Sequence, residues 1–106
     1  MANLDSIFSN MNNQFQSDKA GDLNMSLVFD LSGEGGGQWC ANIVNGKLNV
    51  QKGSVANPDA TLSMNADDFE AMSKGDLNPM MAFMSGKIKV DGDLNTVMKF
   101  QSLVGM

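Results

Sequence analysis

Asn78-Pro79-Met80-Met81-Ala82-Phe83-Met84-Ser85-Gly86-Lys87-Ile88-Lys89-Val90-Asp91-Gly92-Asp93 changes its hydrophobic period within a short span, and that change decides the class of fold. Asn78 followed by Pro79 is a helix start, with asparagine as the cap and proline at the first helical position. Gly86 ends that helix. Between them Met80, Met81, Phe83 and Met84 leave almost no polar side. From Lys87 to Asp91 the pattern alternates, which is strand behaviour with Ile88 and Val90 inward. Gly92-Asp93 then turns into a last helix from Leu94 to Val104. Its apolar side carries Leu94, Val97, Met98, Phe100 and Val104.

Upstream the same punctuation repeats. Ala60, Leu62 and Met64 form one face of a strand that runs into a helix capped by Asn65. Asp67 and Asp68 occupy its first turn, Met64 and Phe69 have hydrophobic-staple spacing, and Lys74-Gly75 closes it. Lys52-Gly53 and Asn57-Pro58-Asp59 are turns. Asn45-Gly46 is a two-residue hairpin signal between Gln38 to Val44 and Lys47 to Gln51, with Trp39, Ala41 and Ile43 on one face. The glycine-rich turn from Ser32 to Gly37 connects back to a strand in which Met25, Leu27, Phe29 and Leu31 point one way. Ser26, Val28 and Asp30 point the other. Three strands joined this tightly form an antiparallel meander, and the fourth is expected to continue the sheet. At the N-terminus Asn3 caps a helix with Ile7, Phe8, Met11 and Phe15 on one face, running out near Ser17 to Asp22. The order is helix, four strands, two short helices, strand, helix. The chain, 1–106, is expected to be one α+β domain with helices stacked on one face of a sheet.

Composition narrows function. The 106 residues contain no histidine, no arginine and no tyrosine, and the net charge is −5. The usual general base, the commonest transition-metal ligand and the bidentate phosphate clamp are thereby absent. Seven scattered lysines on an acidic chain exclude a nucleic-acid surface. A single cysteine, Cys40, rules out an internal disulfide and fits a reducing compartment. No apolar run approaches the roughly 20 residues of a membrane span, and the N-terminus does not read as a secretory signal. A soluble, cytoplasmic protein is expected. Ten methionines stand out. Either they are ordinary core packing, or they line an adaptable apolar pocket.

The familiar chemical motifs fail one by one. Gly33-Glu34-Gly35-Gly36-Gly37 is followed by a strand, so no helix N-terminus waits for a phosphate. Asp91-Gly92-Asp93 begins like a calcium loop, but Ser102 stands where a bidentate glutamate belongs. The segment from Asp30 fails likewise, at Ala41. Asn24-Met25-Ser26 is a glycosylation sequon without a secretory route. Cys40 has no histidine or nearby cation to make it a thiolate. Asp67-Asp68 belong to a helix start. No catalytic residue, metal ligand set or cofactor is expected.

Three segments together carry a family resemblance. They are Phe29-x-Leu31 with the glycine turn, Trp39 and Asn45-Gly46, then Asn57-Pro58-Asp59-Ala60-Thr61-Leu62-Ser63-Met64, and then Asp67-Asp68-Phe69 through Lys74-Gly75-Asp76-Leu77-Asn78-Pro79 into Ala82 to Asp93. Their order resembles the sterol carrier protein 2 family over about residues 25–104. The resemblance implies a five-stranded, mainly antiparallel sheet covered on one face by helices, enclosing an apolar tunnel. It also implies a non-enzymatic lipid carrier for fatty acids, fatty acyl-CoA or sterols. The tunnel would then be lined by Phe8, Met11 and Phe15 from the first helix and by Leu27 and Phe29 from the sheet. Met80, Met81, Phe83 and Met84 would come from the short helix, and Val97 and Met98 from the last. Lys19, or the loop to Asn24, is the candidate for meeting a lipid head group.

Two features depart from the familiar carriers. The chain ends Leu103-Val104-Gly105-Met106 and not in a peroxisomal tripeptide. Asp5 and Asp18 against a single Lys19 argue against strongly electrostatic docking on anionic membranes, leaving transient contact. A chain beginning at Met1 fits a free-standing protein. The alternatives are an accessory module presenting a lipid or quinone to a lipid-processing enzyme, a Met-rich groove for a partner helix, and an enzyme built on Cys40 or a carboxylate.

Overall fold

A computed structural model of the chain describes residues 4–104, so the Asn3 cap lies outside the described residues. The elements are α1 (Leu4–Gln14), α2 (Ser17–Ala20), β1 (Met25–Ser32), β2 (Gly37–Val44), β3 (Lys47–Lys52), β4 (Ala60–Asn65), α3 (Ala66–Ser73), α4 (Pro79–Met84), β5 (Ile88–Gly92) and α5 (Leu94–Val104). The expected order holds, with one addition. The chain does not run out after the first helix but makes the short α2, which Gly21 ends at φ 58°. The N–H of Gln16, just before α2, donates to the Leu103 carbonyl at 2.9 Å and ties this corner to α5.

The strands form one five-stranded mixed sheet in the order β3-β2-β1-β4-β5. Three pairings are antiparallel, as expected; β1 and β4 run parallel. The fourth strand therefore does not follow β3 at its edge. It joins on the far side of β1, with Leu27 opposite Ala60 and Phe29 opposite Leu62. Residues 53–59 must cross β2 and β1 to make that link. Burial on the face opposite the helices is unexpected. Val28 and Cys40, paired in register on that opposite face, are only 4% and 1% exposed and do not belong to the helix-side core.

The core lies where Leu27, Phe29 and Leu31, alternating along β1, meet α1, α3 and α5. Its centre is aromatic. The Phe8 ring stacks on Trp39 at 4.4 Å and on Phe69 at 5.4 Å, and meets Phe29 edge-on at 5.3 Å. Phe100 closes the cluster at 5.7 Å from Phe29. Offset and edge-on rings at such distances add about 0.5–1.5 kcal/mol per pair beyond the burial itself.

The Asn45-Gly46 hairpin forms as its sequence requires, with φ 52° and 77° at the two turn residues. It also docks: the Asn45 N–H donates to Asn24 Oδ1 and the Gly46 N–H to the Leu23 carbonyl, both at 3.0 Å. A Cβ at Gly46 would collide with the Gly21 carbonyl oxygen. Gly46→Ala is therefore expected to destabilise the fold by about 1–3 kcal/mol, from left-handed strain and the clash together. Urea unfolding checks this; an unchanged midpoint would mean the turn relaxes at no cost.

Candidate functional site

The helix α4 stands apart from the other helices because its surface is apolar without being buried. Asn78 holds its start, the side-chain oxygen accepting from the N–H groups of Met80 and Met81 at 2.8 and 3.3 Å. Pro79 follows at the first position. The Lys87 N–H donates to the Ala82 carbonyl at 2.9 Å and fixes the end of the helix to β5. Of the residues in α4 only Ala82 is buried. Met80, Met81, Phe83 and Met84 remain 58, 65, 42 and 76% exposed.

Between α4, β5 and α5 lies an apolar groove of about 290 Å³. That is the lower edge of the roughly 300–1,000 Å³ usual for small-molecule sites. Pro79, Met80 and Phe83 form the α4 wall, and Ile88 and Val90 the β5 side. The α5 side consists of Leu94, Val97, Met98, Gln101 and Ser102. Ile88 and Val97 are its closed floor, whereas Met80, Phe83, Leu94 and Met98 make a half-open rim. No lining side chain is charged, and Gln101 and Ser102 supply its only polar side-chain groups. Such a surface can hold an apolar chain or ring by non-directional contact, with an amide and a hydroxyl at one end.

Four of the residues expected to line a ligand site meet here: Met80, Phe83, Val97 and Met98. Met81 and Met84 share α4 but do not line the groove. Phe8, Leu27 and Phe29 are packed into the closed core, and Phe15 packs half-buried against its edge. Met11 is buried beside a second hollow of about 260 Å³, which also has Asn10, Gln14, Glu70 and Lys74 in its walls. Lys19 sits on α2, near the Leu103 end of α5, outside the groove lining. The β5 residues Ile88 and Val90 were not among the expected lining residues, although their alternation marks them as inward. Gln101 and Ser102 carried no signal in sequence. Cys40 is a buried free thiol whose one neighbour of note is the Asn42 amide, 3.9 Å from the sulfur. Among the described residues no group of three or more His, Cys, Asp or Glu could hold a metal ion, and no helix is long and apolar enough to cross a membrane.

A mixed sheet roofed on one face by helices, with an uncharged groove beside a bare apolar helix, defines an α+β domain that offers an apolar groove. The chain belongs to the SCP-2 sterol transfer family, whose model matches residues 4–105. It is 41% identical over 78 residues to hydroxysteroid dehydrogenase-like protein 2 of Xenopus tropicalis, which covers 73% of this chain and 19% of that protein. The chain thus spans about a fifth of the length of the curated relatives it matches. Its fold is that of palmitated SCP2L2 from Aedes aegypti, known from an NMR solution structure. The TM-score is 0.81 at 21% identity, over 100% of this chain and 96% of that one. The stereoselective inverting sec-alkylsulfatase Pisa1 from Pseudomonas sp. contains the same fold, with a TM-score of 0.83 at 22% identity over 95% of this chain and 16% of that one.

Proposed function

We propose that the chain is a non-enzymatic lipid carrier that takes the apolar part of a fatty acid, fatty acyl-CoA or sterol through the groove between α4, β5 and α5. One observation carries the reading: all the lining side chains of that groove are uncharged, in a chain of the SCP-2 family. Each buried CH₂ contributes roughly 0.8 kcal/mol. Burying even part of an acyl chain therefore leaves a useful surplus after ordering costs. The groove is the entrance to a tunnel in this reading. Deeper seating against Phe8, Met11, Phe15, Leu27 and Phe29 needs the helices to move off the sheet. Met81 and Met84 then move with α4 but stay on its solvent side. The carrier works in the cytoplasm, without cofactor or metal, and meets membranes transiently and without strong charge attraction.

A second reading has its own support. In both the dehydrogenase-like relatives and the alkylsulfatase, the matching region is under a fifth of a longer protein. In that version the domain presents its lipid to an enzyme on the same or a neighbouring chain.

The deciding experiment is native mass spectrometry of the purified protein, followed by titration with a fluorescent fatty acid and competition by palmitate, palmitoyl-CoA and a sterol. Saturable one-to-one binding, displaced by at least one competitor, is expected. Absence of bound mass and of saturable binding would remove the carrier reading. Lys19→Ala is expected to weaken palmitate about two- to fivefold while leaving a fatty alcohol unchanged, as suits a lysine near a head group in solvent. Equal palmitate affinity would end its assignment.

A further inference from the structure

The methionines divide sharply. Met11, Met25, Met64 and Met72 are 3, 8, 5 and 4% exposed, whereas Met80, Met81, Met84 and Met98 are 58, 65, 76 and 50% exposed. Among the described residues the exposed set is confined to α4 and α5, and two of its members, Met80 and Met98, belong to the groove wall. We propose that Met80 and Met98 form a reversible oxidation site at the groove mouth, at which hydroperoxides switch the domain from lipid-holding to lipid-releasing. The proposal rests on the lipid-carrier reading of the same groove.

The chemistry needs no group beyond the oxidant. The thioether sulfur attacks the distal oxygen of a hydroperoxide, ROOH; the O–O bond breaks and an S–O bond forms. The proton passes to the departing oxygen, giving ROH. Sulfur loses two electrons to the peroxide, and the product is methionine sulfoxide, which sulfoxide reductases return to the thioether. A flexible apolar side chain becomes a polar one. In a wall otherwise made of Pro79, Phe83, Ile88, Val90, Leu94 and Val97, with Gln101 and Ser102 as its only polar side chains, the sulfoxide oxygen has few partners once an alkyl chain fills the groove. Each such unpaired polar group weakens binding. The cysteine and the tryptophan are shielded, Cys40 being 1% and Trp39 9% exposed, so the competing targets are Met81 and Met84, outside the groove wall. Cargo is linked to the reaction: a bound lipid covers Met80 and Met98 but leaves Met81 and Met84, which do not line the groove, open to solvent.

The test treats the full chain, empty and palmitate-loaded, with hydrogen peroxide. Peptide mass spectrometry then reads each methionine, and titration with a fluorescent fatty acid reads binding. In the empty protein the four exposed methionines are expected to oxidise well ahead of the buried four. Palmitate should slow Met80 and Met98 while leaving Met81 and Met84 unchanged. Oxidation of both wall methionines should lower affinity about tenfold or more with circular dichroism unchanged. M80L/M98L should keep its affinity through peroxide treatment, M81L/M84L should lose it, and a sulfoxide reductase should restore wild type. Full affinity after oxidation at both positions, or an equal loss in M80L/M98L, would overturn the switch alone. If the untreated protein binds no fatty acid, the carrier reading falls and the switch falls with it.

Discussion

Phe8→Ala is expected to lower the unfolding free energy by about 3–5 kcal/mol, the usual range for removing a buried phenylalanine. Its ring is 1% exposed and touches three other rings, on β1, β2 and α3, so no single neighbour can swing in to fill the space. Against a total of roughly 5–15 kcal/mol for an ordinary domain, that loss removes a large share of the stability. Urea unfolding measures it, and a loss below about 1 kcal/mol would show that the aromatic centre is loosely packed. The same variant locates the ligand. A ligand that binds only the folded state stabilises wild type by mass action alone. If the tail reaches the core, palmitate should stabilise Phe8→Ala more than wild type, because the tail fills the vacated apolar space. An equal increment in both proteins would confine the ligand to the groove.

What was legible in the sequence is local in origin. Asn65 and Asn78 announce α3 and α4 because a cap is made within three residues, and Asn45-Gly46 announces a hairpin because a two-residue turn dictates its own dihedral angles. The partner of β4 is not local. Ala60, Leu62 and Met64 alternate identically whether β4 lies beside β3 or beside β1, so the parallel pairing left no trace in the pattern.

The site was half legible for a related reason. Periodicity identifies which residues face inward, and a groove wall and a closed core are both inward and both apolar. Val97 and Phe29 carry the same signal, yet one lines the groove and the other packs against Phe8 and Phe69 in the core. The exposed rim is a matter of how far α4 stands from the sheet. Only Ala82 of that helix is buried, and no pattern in the sequence encodes the distance.

Leu94→Glu should separate binding from folding. Leu94 is the first residue of α5 and is 40% exposed on the groove rim. Asp93 already caps the helix, its carboxylate accepting from the Asn95 N–H at 2.9 Å and the Thr96 hydroxyl at 3.2 Å. A carboxylate in this first turn is favoured by the helix dipole by about 0.3–1 kcal/mol, which offsets part of the lost apolar contact and of the repulsion from Asp93. The change in stability is therefore expected to stay within about 1 kcal/mol. Binding has no such compensation. A carboxylate enters a wall with no charge of either sign, and an alkyl chain laid across it would strip its water without providing a partner. Affinity for a fatty acid is expected to fall about tenfold to a hundredfold. A fatty alcohol should fall comparably, which separates desolvation from repulsion between two carboxylates. Leu94→Met, similar in volume and apolar, should bind as wild type does. If Leu94→Glu bound the alcohol with undiminished affinity, the ligand would have to enter elsewhere. The hollow beside Met11, with its charged and polar walls, would then be the next place to look.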